Sequence, residues 1–278
     1  MSPQTLRITG LLCSLIAILF MSGCAGHVSQ HRSSSVVGYL YPDKDKPLDT
    51  PAIPHLALPL QVGVAFVPES SGRNSGFTEK EKARLLGEIA THFRQQAFVG
   101  SIEILPSVYL RPGGSFENLD QLRALHGIDV VVLVSYDQTQ FTDEGLASIA
   151  YWTLIGAYIV PGEKNDTHTM VDAVVYDIAS RKMLFRAPGI SHIKGRATPV
   201  NLSEELRKDS LQGFQQASED LIANLDEQLA SFKQRVKERP QDYRVVHRAG
   251  YTGGGSVDAG FLMLAAVFAG VAARGRAV

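Results

Sequence analysis

Five successive apolar residues, Val130 to Val134, sit inside the most β-prone stretch of the chain, Ile128 to Tyr136. A strand turns alternate side chains to opposite faces, so an unbroken apolar run is stable only where both faces are covered. The run therefore implies a central strand buried on both faces. Helices are read in the sequence before it. Thr78-Glu79-Lys80-Glu81 has the form of a capping box, and Leu85, Leu86, Ile89, Phe93 and Ala97 follow at helical spacing. A second helix is read from about Phe116 to His126, with Leu119, Leu122 and Leu125 on one side and Gly127 as its C-terminal stop. Gln61 to Val67, ended by Pro68, and Ile102 to Leu105, closed by Pro106, read as further strands.

Thr167 to Tyr176 and Met183 to Arg186 read as a hairpin across Asp177 to Lys182. A long helix is expected from about Leu202 to Lys237. Asn201 and Glu204 offer its start, and Leu211, Phe214, Leu221, Leu225, Leu229, Phe232 and Val236 lay down an apolar stripe ended by Pro240. Gly213 is a place for it to bend, and its far end is long enough to protrude toward a partner. Leu146 to Val160, almost wholly apolar and carrying the only tryptophan, Trp152, favours a buried strand by its aromatic and β-branched content, with a membrane-inserting hairpin as the alternative. The expected fold is α/β: a single mixed-sheet domain of about six strands, two shorter helices and one long C-terminal helix, spanning residues 60–240.

Residues 24–59 carry Ser33-Ser34-Ser35, the charged patch Asp43-Lys44-Asp45-Lys46, and prolines at 42, 47, 51, 54 and 59. Proline favours extended backbone and interrupts helix, so the segment reads as a tether, with Tyr39, Leu40 and Tyr41 as stray apolar groups able to dock. Before it, Arg7 supplies a positive n-region, Leu11 to Phe20 an apolar h-region too short to span a bilayer, and Ser22-Gly23 the small residues of a cleavage site. Residues 1–23 thus read as an export signal. At the other end, polar residues 241–247 lead through a linker to Gly253-Gly254-Gly255-Ser256, followed by an apolar run from Ala259 to Ala273 and then Arg274 and Arg276. At ~1.5 Å per residue that run is shorter than the ~30 Å hydrocarbon core, and the terminal arginines would hold its end on the cytoplasmic side.

Cys24 directly after Ser22-Gly23 makes the N-terminus resemble a bacterial lipoprotein signal. The resemblance implies cleavage by a lipoprotein-type signal peptidase, attachment to membrane lipid through Cys24, including a palmitate-like acyl chain, and, with Ala25-Gly26 following, sorting to the outer membrane. The glycine run Gly253, Gly254, Gly255 with Ser256, the short apolar segment 257–278 and the basic residues Arg274 and Arg276 resemble the GlyGly-CTERM sorting signal. The two ends together resemble the rhombotarget lipoproteins, substrates of rhombosortase-like intramembrane proteases. A plain C-terminal anchor after a glycine linker is the competing account of the tail. The helix, Gly127, Asp129, strand arrangement resembles the amino-terminal domain of the Tol-system propeller protein and the periplasmic domain of the curli secretion channel family, which implies fold and not function.

Net charge is −1 with pI near 6.7, so no basic excess draws the chain onto nucleic acid. Cys13 falls in the signal and Cys24 is the lipid site, leaving no thiol for a disulfide or a cysteine metal centre. The eight histidines show no metal-site spacing inside an expected element, and His27 and His31 lie in the arm. His168, Asp172 and Ser191 can be assembled on paper into a hydrolase triad, but no nucleophile elbow or oxyanion motif surrounds the serine. No cofactor motif and no metal site are read. The expectation is a non-enzymatic envelope lipoprotein that binds or assembles with an unidentified envelope protein. An envelope hydrolase, or a pore- or secretion-associated lipoprotein, is the alternative.

Overall fold

The computed structural model describes residues 27–42, 52–69, 77–144, 163–197, 201–249 and 251. Cys24, Gly253, Gly254, Gly255, Ser256, Arg274 and Arg276 lie outside them, as does the Leu146 to Val160 segment. In chain order the elements are β1 (His27–Ser33), α1 (Val36–Leu40), β2 (His55–Leu58), β3 (Leu60–Phe66), α2 (Glu79–Arg94), β4 (Val99–Ile104), α3 (Ser115–His126), β5 (Val130–Glu144), β6 (Glu163–Asp177), β7 (Lys182–Ala197), α4 (Leu202–Glu238) and β8 (Arg244–His247). Short 3-10 turns lie at Ser107–Tyr109 and Pro240–Asp242. A six-stranded sheet runs β4-β3-β5-β6-β7, with β1 also paired to β5, and a separate two-stranded sheet joins β2 to β8.

The fold is α/β with a mixed sheet. β3 is parallel to both β4 and β5, each reached through a helix, whereas the short turn between β6 and β7 can join only antiparallel neighbours. The described residues fall into two compact units. The larger comprises the described residues of 31–139, 168–192 and 210–251; the smaller comprises those of 27–30, 140–167 and 193–209.

In the larger unit the period-2 alternation of β5 feeds two cores. Val130, Val132, Val134 and Tyr136 join Leu85, Leu86, Ile89 and Phe93 of α2 and Phe214, Leu221, Leu225 and Phe232 of α4. Val131 and Leu133 turn the other way, to Phe116, Leu119 and Leu122 of α3 and Val36, Tyr39 and Leu40 of α1. Val130 to Val134 are all buried, as the sequence requires of a strand covered on both faces. The ends of the covering helices follow local chemistry. Thr78 accepts from the Glu81 backbone N–H while the Glu81 carboxylate accepts from the Thr78 N–H, and Gly127 ends α3 in the left-handed conformation at φ 65°.

Several sequence expectations need correction. The arm read as a tether begins within the fold: β1 pairs with β5, and Ser35 caps α1, whose Tyr39 and Leu40 are 2% exposed. The prolines of that segment fall after α1, so they do not interrupt it. The linker read from Gln241 onward contains β8, paired in parallel with β2 from His55↔Arg244 to Leu58↔His247. Arg248 extends this clasp by donating to Asp129 at 2.5 Å, and Tyr251 Oη donates to the Ala97 carbonyl at 3.2 Å. Leu125 and Leu211, read as part of the apolar stripes of α3 and α4, are instead 75% and 43% exposed. Gly213 serves contact: a Cβ there would meet Thr169 Oγ1 at 2.7 Å.

Candidate functional site: a histidine-lined face of the sheet

The hairpin β6–β7 is set by its turn, where Asp177 Oδ2 accepts from the Ser180 N–H at 3.0 Å and Arg181 takes φ 59°. Its alternation puts Thr169 and Val171 of β6 in the interior, where they are buried, and turns His168 and Met170 outward. The outward face carries Val174 and Tyr176 beneath α1 and α3. Farther along it, Asp172 receives the Arg186 guanidinium Nε at 2.7 and 2.8 Å. Burial raises the Asp172 carboxyl above its ordinary value, and the Arg186 hydrogen bond and charge oppose that rise.

Beyond this ion pair the face opens into a groove of about 540 Å³, lined by Asp137 and Thr139 of β5, His168, Thr169 and Met170 of β6, and Ile190, Ser191 and His192 of β7. The His168 and His192 rings stack with centroids 4.0 Å apart and an interplanar angle of 17°. At the rim, His31 Nε2 lies 3.1 and 3.2 Å from the two oxygens of Asp137. Met170 and Ile190, 37% and 67% exposed, supply apolar surface between these polar groups. The arrangement suits a ligand that presents apolar surface together with hydrogen-bonding groups.

Of the three residues that could be drawn as a triad, the structure brings His168 and Ser191 to one groove but not into a relay. Ser191 Oγ donates to the Gly213 carbonyl at 2.7 Å, and Asp172 is held by Arg186. Among the described residues no group of three or more His, Asp or Glu side chains is placed to hold a metal ion, and no helix is long and apolar enough to cross a membrane. Sequence reasoning missed Asp137, His192, Met170 and Ile190. The alternation of His168 and Met170 against Thr167 and Thr169 was the available signal; their neighbours come from strands whose register a single sequence does not fix.

The smaller unit has a polar interior. Gln140 Nε2 donates to Thr167 Oγ1 at 3.1 Å and to the Leu206 carbonyl at 2.8 Å. Asn165 is 1% exposed and neither of its amide atoms has a partner among the described residues; the same holds for Asp209 Oδ2. Burial, with like-charge repulsion from Glu205, raises the Asp209 carboxyl above its ordinary value. No protein-family model and no curated protein matches the sequence.

Proposed function

We propose that this chain is a non-enzymatic bacterial envelope lipoprotein, a binding or assembly component of the outer membrane that is processed by a rhombosortase-like protease. Cys24 carries the lipid after cleavage by a lipoprotein-type signal peptidase, and Gly253, Gly254, Gly255 and Ser256 form the processing region. Arg274 and Arg276 hold the tail in the inner membrane until it is removed. The body is of the Tol-propeller amino-terminal or curli-channel type.

The observation that carries this reading is the β2–β8 clasp. It ties the chain to the folded body through Arg248 and Tyr251, immediately before the glycine run, so the residues proposed for cleavage follow directly on the last anchored side chain. Binding is supported over catalysis by the groove, where Ser191 and Asp172 are engaged elsewhere and apolar surface lies between the polar groups.

C-terminal mass spectrometry of the protein from native cells tests the processing. The expected mature chain ends near Gly253 to Ser256 and lacks Phe261 to Val278, and valine in place of Gly254 and Gly255 blocks the cut. An intact Val278 in a strain with an active rhombosortase would reduce the tail to an anchor. Separately, Cys24→Ala is expected to abolish labelling with a clickable palmitate analogue.

A further inference from the structure

A buried carboxylate is stable only when it is paired, hydrogen-bonded or bound to a cation, because no water is at hand to hold its charge. Asp209 of α4 is 6% exposed, and its Oδ2 has no hydrogen-bond partner among the described residues. The adjacent cation, Lys208, pairs with Glu205 at 3.6 Å instead. Asp209 Oδ2 occupies the space that a side chain on Gly195 of β7 would take. Strand register sets Asn165 of β6 beside the same place. His168 and His192 stack with centroids 4.0 Å apart, which marks them as directly opposed. Burial alternates without a break on both strands: Asn165, Thr167 and Thr169 face inward on β6, Ile193 and Ala197 on β7, with Lys194 and Arg196 exposed. Three residues along, antiparallel pairing therefore puts Asn165 opposite Gly195. This inward face looks onto α4, since Gln140, beside Thr167, donates to the Leu206 carbonyl at 2.8 Å. Asn165 is 1% exposed, and neither Oδ1 nor Nδ2 has a hydrogen-bond partner among the described residues.

We propose that Asp209, Glu205 and Asn165 form a binding site for a hard divalent cation of the calcium type. Donor chemistry selects the class. The groups are two carboxylates and an amide, with no thiol or imidazole, and oxygen donors suit calcium or magnesium rather than zinc or copper. Glu205 precedes Asp209 by one helical turn, so both carboxylates stand on one side of α4. After burial itself, Glu205 is the main cause that raises the Asp209 carboxyl, so its charge is within electrostatic reach. Against these two acids stands one lysine, whose side chain is 69% exposed. A buried water would satisfy the unpartnered atoms but leave the excess negative charge, whereas a divalent cation answers both. Magnesium demands near-ideal octahedral geometry and gives up its waters reluctantly; calcium accepts the irregular donor set that a strand and a helix present. Gly195 belongs to the site because any side chain there would displace the Asp209 carboxylate.

Full-length protein in detergent, stripped with EDTA and titrated with calcium chloride at neutral pH, is expected to bind one calcium ion by calorimetry. Its thermal unfolding midpoint is expected to rise as calcium is added, because an ion that binds only the folded chain stabilises it. Without the ion, the buried carboxylate carries only its cost. Asp209→Asn keeps the size of the side chain and is expected to raise the calcium dissociation constant by about tenfold or more, removing the rise in midpoint. Glu205→Gln, at a partly exposed position, is expected to weaken binding in the same direction and carries the test should Asp209→Asn not fold. No calcium binding by the wild-type chain, equal binding by folded Asp209→Asn or Glu205→Gln, or a response to zinc or magnesium stronger than that to calcium would each overturn the proposal.

Discussion

Asp209 is the residue whose chemistry fits its surroundings least. Its carboxyl is raised by burial and by Glu205, which means that the fold favours the neutral form. A carboxyl raised in the folded state contributes most favourably below the unfolded-chain pKa, and that contribution is lost as pH rises through the folded value. At neutral pH Asp209 therefore costs stability. Asp209→Asn should show a higher unfolding midpoint than wild type at pH 7 and no advantage near about pH 3; an equal difference at both would sink the assignment. Asp172 is raised by burial in the same direction but has a partner, since Arg186 donates to this carboxylate, whose side chain is 11% exposed. Arg186 is half in water, so Arg186→Ala is expected to cost about 1–3 kcal/mol in urea denaturation, mostly from the carboxylate left behind.

At the scale of elements, helix α4 lies close on the sheet because glycine permits it. A Cβ at Gly189 would collide with the Ala217 carbonyl oxygen and the Leu221 backbone nitrogen. Both are backbone atoms, so Gly189→Ala must lift the helix, at an expected cost of about 3 kcal/mol or more. Gly87, in α2, has nothing within 4 Å of the same position, and Gly87→Ala should stabilise by about 0.5–1 kcal/mol. Thermal unfolding of the two variants with opposite signs checks both. Legibility from sequence divides along similar lines. The α2 cap, the Gly127 stop and the two-faced β5 run were readable because local residues determine them. The distal half of β5 was not: Gln138 looks like a surface residue, yet it is 1% exposed, donating to Thr169 Oγ1 at 2.8 Å and the Ser210 carbonyl at 3.1 Å. α1 was hidden by the prolines that follow it. In the groove, His168 and Ser191 were singled out from the sequence but His192 was not, because the hairpin is what brings it beside His168.

At the scale of the whole molecule, the two units differ in what fills them. Val130 to Val134 lie in apolar cores, whereas the smaller unit buries Gln140, Thr142, Asn165, Thr167 and Asp209 beside Ile193 and Ala197. Polar interiors gain less from leaving water, so sub-global opening is expected there first. Native-state hydrogen exchange should show Gln140 to Thr142 and Asn165 to Thr167 losing protection at lower denaturant than Val130 to Val134. Simultaneous loss across both sets would mean one cooperative unit.

Side chains of α4 seal the outer edge of β7, Asp220 accepting from the Ile190 N–H while Asn224 and Arg235 donate to the Pro188 and Leu184 carbonyls, and this guard sets an order of events. Asp220, Asn224 and Arg235 follow β7 in the chain, so a ribosome releases the strand before the side chains that seal its edge. During that interval Leu184, Pro188 and Ile190 offer open backbone to any passing strand, and nascent chains are held there for whole seconds at ordinary synthesis rates. A message cut short between β7 and the end of α4 therefore yields a product with a finished sheet and a bare margin, one that a cell must degrade or shield before it meets its siblings.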